Sequence, residues 1–181
     1  MTENLNAVRS IRTISGLYVN VFEPDPSTLV IEDIAHALSN QPRFGGHLPQ
    51  FYSVAQHSLL CYQVADEEYK YDALMHDASE AYLLDMPKPI KVEMPDYNRI
   101  EDNLMHVLAK KFHFNYPKNE AVEAIDHYLL NWEWNNIMLK KKPTHKFPLI
   151  KILTPKQAKS AFLKAFYKHQ ATLKPSDLIN S

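Results

Sequence analysis

Four side chains able to bind metal or move protons crowd into one short stretch, ALMHDASEAYLLDMP at residues 73–87: His76, Asp77, Glu80 and Asp85. His76 and Glu80 stand four apart and Asp77 and Glu80 three apart, so on a helix all three project from one side. Alanine and leucine surround them at core-like spacing, and a buried carboxylate is costly unless it is paired or coordinates a cation. His57 lies on the preceding inward stripe with Val54, Cys61 and Val64, while Asp126 interrupts the later apolar stripe of Val122, Ile125, Leu129 and Trp132. A single buried histidine is ordinarily a hydrogen-bonded core residue. A set of His57, His76, Asp77 and Asp126 drawn from separate helices is different: its mixed nitrogen and oxygen donors suit one divalent ion, Zn, Mn, Co, Ni or Fe.

The elements that must position these residues are mostly helices. Ile31, Ile34, Ala35 and Leu38 recur at i, i+3, i+4 and i+7, which predicts an amphipathic helix. Ser53 and Gln56 have capping-box spacing ahead of the His57 helix. The spacing predicts one helix from about 70 to 84, antiparallel to its predecessor across a short polar break and ended by Pro87 and Pro89. A fourth helix uses Ile100, Leu104, Val107 and Leu108, and a fifth, carrying Asp126, starts near Pro117. The last begins at Thr154-Pro155 with Gln157 at its third position and buries Ala158, Ala161, Phe162, Ala165 and Phe166. Only residues 11–22 read otherwise, alternating around Ser15-Gly16 as a small β-hairpin. The fold class is therefore all-α, a single compact helical domain over residues 1–181 with an N-terminal hairpin. The basic run at 139–147 reads as a solvated connector between the last two helices.

Bulk properties narrow the function. A chain of 181 residues suffices for one core. Its net charge of -1 gives no support to nucleic-acid or membrane-surface binding. A lone cysteine, Cys61, excludes an intrachain disulfide, and with no signal pattern or membrane-length apolar run the expected location is the cytoplasm. Glycine is scarce, yet Gly45 and Gly46 are adjacent in RFGGH, where they let the backbone approach a ligand closely. Phe44 beside them offers either a ring for a base to stack on or a plain core contact, and His47 a polar contact to sugar or base. Trp132 and Trp134 read as packing residues. His106 sits off its helix stripe and His113 falls at a helix end, so a second metal is not expected.

The pattern His57, His76-Asp77, Asp126 resembles the HD-domain metal-dependent phosphohydrolases. The likeness extends through FYSVAQHSLL, ALMHDASEAYLLDMPKPIK and the Asp126 helix with Glu133, over about residues 25–140. It is nearest to the YfbR-like 5′-deoxynucleotidases and phage dATP triphosphohydrolases. The resemblance implies that His57, His76, Asp77 and Asp126 ligate one divalent ion (Mg joining the metals above), that Glu80 deprotonates or orients the attacking water, and that Asp85 serves near the leaving group. It implies that Arg43 contacts the substrate phosphate, which a guanidinium grips through two oxygens. Lys88 is either a second phosphate contact or plain surface. Phe44 stands where many such proteins carry tryptophan. The implied partner is a small nucleotide, and related enzymes are often dimers or larger, so a homo-oligomer is expected. Three functions follow: hydrolysis of deoxynucleoside 5′-monophosphates, hydrolysis of a dNTP to triphosphate, and non-catalytic nucleotide binding. A general base is needed only for the first two.

Overall fold

The computed structural model describes residues 9–139 and 151–172. The chain is mostly helical and carries a small N-terminal antiparallel hairpin, as its periodicity predicts. Strands β1 (Ser10–Arg12) and β2 (Tyr18–Asn20) pair with Ile11 opposite Val19. The hairpin turn has Gly16 at φ 90°, a left-handed position that glycine adopts freely. Ser15 anchors it, donating from its amide and hydroxyl to the Asp33 carboxylate at 3.0 and 2.7 Å.

Helices α1 (Ile31–Asn40), α2 (Val54–Val64) and α3 (Lys70–Met75) follow. Short α4 (Glu80–Leu83) and α5 (Lys88–Lys91) lead to α6 (Pro95–Phe112), α7 (Glu120–Glu133) and α8 (Pro155–Gln170). Helix α2 is the centre, packing against α1, α3, α7 and α8. Every residue from Val54 to Cys61 is buried, so the first two turns of the helix have no solvent face and the inward stripe expected there takes in every residue. Only its last turn reaches solvent, at Gln63. One apolar cluster joins Leu38, Leu74, Leu104, Leu108 and Phe162; a second joins Tyr52, Leu60, Cys61, Val122 and Leu129, with α2 and α3 contributing to both. Among the described residues no helix is long and apolar enough to cross a membrane.

Local chemistry modifies several expected boundaries. The helix predicted from 70 to 84 is broken at 76–79. His76 Nδ1 donates to the Ala73 carbonyl at 2.8 Å, and the next turn runs on tighter bonds such as Ala78 N to Met75 O and Glu80 N to Asp77 O. A side chain that claims a helical carbonyl invites such a turn. The preceding segment ends before either proline, at Leu83, where Leu84 turns to φ 70°. Pro87 instead caps α5 and Pro89 sits in its first turn, where a missing N–H is not needed. The fifth helix, expected to start near Pro117, begins just beyond it, after Asn119, which accepts from Val122 N. Ser53 accepts from Gln56 N, but the Gln56 amide does not return the bond; it joins Lys151 O and Leu153 N, stitching α2 to the segment before α8. The Thr154–Gln157 capping box is complete. Apart from Leu139, the basic run at 139–147 lies outside the described residues.

Candidate metal centre and cavity

Three elements deliver the centre. His57 comes from the buried first half of α2, His76 and Asp77 from the tight turn after α3, and Asp126 from the middle of α7. His57 Nε2 lies 3.2 Å from Asp126 Oδ1 and 3.8 Å from Asp77 Oδ2. His76 Nε2 lies 3.1 Å from Asp77 Oδ2 and 3.7 Å from Asp126 Oδ1. The residues singled out in the sequence therefore converge on one point.

The other nitrogen of each ring is already committed. His57 Nδ1 bonds to Glu133 Oε1 at 2.7 Å, and His76 Nδ1 faces a carbonyl that can only accept, so the proton sits on Nδ1. Both Nε2 atoms are thereby turned, as acceptors in the neutral ring, toward the same carboxylates. His76 Nε2 is buried with no hydrogen-bond partner. Rings oriented by an outer acceptor, with the inner nitrogen turned to a shared centre, are how proteins hold ligating histidines.

The electrostatics favour a cation. Burial pushes both imidazoles toward the neutral form, yet their pKa values stand well above the ordinary one. Arg43 also opposes the charge on His57, but Cys61, Glu133 and Asp126 raise it; Asp77, Cys61 and Asp126 raise His76. Conversely, Asp77 and Asp126 lie below the usual carboxylate range despite burial, held there by the two histidines. A divalent ion would supply the positive charge that two protons supply otherwise. The residues present fit such an ion. Cys61 joins the group: its Sγ is 3.5 Å from His57 Nε2, and donor atoms of His57, Cys61 and His76 lie within 4.8 Å of one another, so this buried cluster could hold a metal ion.

Above the centre opens a cavity of about 760 Å³, lined by Asp77, Asp126, Glu80, Asp85, Arg43, Phe44, His47 and Lys88 among others. Glu80 is buried, its Oε2 without a partner, and its pKa is well above the usual carboxylate value, first from burial and then from Asp77 and Asp85. Burial likewise raises Asp85. The turn that holds Asp85 passes through Leu84 at φ 70°, and Tyr97 donates to the Leu84 carbonyl at 2.8 Å. Arg43 sits in a tight turn, Arg43–Gly46, where Phe44, Gly45 and Gly46 all have positive φ. The paired glycines thus serve the backbone bend that their sequence suggested. Arg43 is nearly enclosed, 3.2 Å from Glu133, 3.8 Å from Asp77 and 4.0 Å from Asp85, with Nε unpartnered.

Sequence reasoning left two participants without a role and gave a third the wrong one. Glu133, fully buried, accepts from His57, from Tyr52 Oη at 2.7 Å and from Arg43 Nη2 at 3.2 Å. It falls seven residues after Asp126, two turns along one face of α7, and that spacing was the available signal. Lys118 Nζ grips Asp126 Oδ2 at 2.7 Å and lines the cavity; it precedes the helix, so no periodicity points to it. Trp134 is a correction. It is 46% exposed and lines the cavity opposite Phe44, 6.2 Å between ring centroids, whereas Trp132 does pack against the second cluster. Phe44 is half-buried and touches both sides of its predicted alternatives, packing on the second cluster while lining the cavity. His106 bonds to the Asp102 carbonyl at the surface and His113 caps α6 in a left-handed conformation; neither lines the cavity.

No family model matches the chain. It is 41% identical over 129 residues to the uncharacterized protein YfdR of Escherichia coli (strain K12), covering 71% of this chain and 72% of that one. It is also 34% identical over 129 residues to the uncharacterized protein RCAP_rcc00048 of Rhodobacter capsulatus, covering 64% and 66%. At that identity and coverage, the chain belongs to the same family as YfdR.

Proposed function

We propose that this chain is an HD-type, divalent-metal-dependent phosphohydrolase that removes the 5′-phosphate of a deoxynucleoside monophosphate. One observation carries the reading. The Nε2 atoms of His57 and His76 converge with Asp77 and Asp126 at the floor of a cavity, beside an unpartnered buried glutamate. His57, His76, Asp77 and Asp126 would hold the ion, leaving Cys61 as a neighbour. A bound divalent ion supplies an acidified water and positive charge for a phosphoryl oxygen. Glu80 takes the proton from the attacking water, and a neighbouring cation opposes the burial that otherwise keeps its carboxyl protonated. Asp85 stands on the leaving-group side, where its raised pKa suits donation of a proton to the departing oxygen. Arg43 presents a fixed positive charge at the phosphate, held in place by Glu133. The deoxy sugar follows from the sequence resemblance alone.

The cations lining the cavity favour a monophosphate over a triphosphate. Beyond Arg43, the lining lysines Lys91 and Lys118 are paired with Glu101 and Asp126. Among the described lining residues this leaves Arg43 and Lys88 to meet phosphate, which is little for a triphosphate chain. The test is to incubate metal-replete protein with dNMPs, dNTPs and ppGpp while following orthophosphate, pyrophosphate and triphosphate separately. Orthophosphate from dNMPs is expected. Triphosphate from a dNTP would replace this reading, and tight nucleotide binding without turnover would mark a non-catalytic module.

A further inference from the structure

Helix α7 does not stop at Glu133 but continues through a wider π-turn, Trp134–Met138. Asp126, Leu130, Trp134 and Met138 all line the cavity at a spacing of four. In a regular α-helix that spacing drifts steadily around the axis; a π-turn takes more residues per turn and brings the later ones back. Ile137 packs inward while Trp134 remains 46% exposed. The wall thus runs from a charged end at Asp126 to an aromatic end, a rise of about 12 Å between Asp126 and Trp134. Phe44, fixed in its left-handed turn, tilts 36° to the indole from the other side. Met86, Pro87, Val92 and Met138 complete an apolar mouth over an acidic floor.

We infer that Trp134 is the platform on which the substrate's base stacks, with Phe44 bounding the slot, so that the same wall holds phosphate at one end and base at the other. This rests on the hydrolase reading for the identity of the charged end. Base stacking on an aromatic side chain is strong enough to read by substitution. In a Trp132→Phe background Trp134 is the sole tryptophan, excited selectively at the red edge beyond tyrosine absorption, and metal-loaded protein is titrated with dAMP or with deoxyribose 5-phosphate. Saturable quenching by dAMP, absent with the base-free sugar phosphate, is expected. Trp134→Leu should narrow the preference in kcat/KM for dAMP over deoxyribose 5-phosphate by about tenfold or more, mostly through KM, and Trp134→Phe should restore much of it. Hydrolysis of dAMP with no quenching and an unchanged preference overturns the platform alone. Quenching without hydrolysis of either substrate overturns the hydrolase reading and leaves the platform standing; absence of both overturns both.

Discussion

Glu80 and Cys61 both border the candidate centre, and their chemistry separates them. Glu80 is an unpartnered buried carboxyl facing the cavity, whereas Cys61 is a thiol beside His57 on the same helix face. Glu80→Gln keeps the shape and removes the base. It should retain metal by elemental analysis while kcat falls about 10²- to 10⁴-fold, the range typical of general acid–base catalysis. Full activity would end that assignment. For Cys61, the carboxylate-rich set predicts that Cys61→Ala binds metal undiminished and that the cobalt-substituted wild type lacks a thiolate-to-cobalt charge-transfer band. Appearance of that band would move the ligand set to His57, Cys61 and His76. Sequence alone could nominate both histidines and both aspartates, since each breaks an apolar pattern. It could not show Glu133 holding His57, Tyr52 and Arg43 together, because those partners lie far apart in the chain.

At the scale of elements, the acidic turn after α4 carries visible strain. Leu84, 63% exposed, has φ 70° and ψ 154°, a region that only glycine occupies without penalty. Such a residue costs on the order of 1–3 kcal/mol, part of which a glycine would return through its larger unfolded-state entropy. Leu84→Gly should therefore stabilise the protein by about 1 kcal/mol and raise Tm by a few degrees in thermal denaturation. A lowered Tm would mean that the leucine side chain contributes more than its backbone costs. The helices themselves were legible from apolar periodicity, and the Thr154–Gln157 cap from its residue types. The break at 76–79 was not, because it depends on His76 taking a backbone carbonyl, and a histidine with the same spacing can equally point elsewhere.

For the whole molecule, the buried charges set the response to acid. Burial pushes Glu133 up, but His57 and Arg43, with hydrogen bonds from His57 and Tyr52, bring its pKa down from 4.5 to about 2. A depressed carboxylate stabilises the fold above its unfolded pKa, and that contribution is lost as pH falls from 4.5 toward 2. Asp77 and Asp126 act in the same sense, while Glu80 and Asp85, raised by burial, act in the opposite one. The urea midpoint of the wild type should drop through this window, and Glu133→Gln, though less stable at neutral pH, should show a shallower slope. Equal slopes would assign the effect to other carboxylates. Composition, periodicity and the order of His57, His76-Asp77 and Asp126 determined a helical domain with a metal-suited set, because burial patterns and ligand chemistry are properties of residue types. Which rings turn their Nε2 inward, which glutamate holds them, and which tryptophan faces the cavity were decided only by tertiary packing, since each depends on partners from separate helices meeting in space.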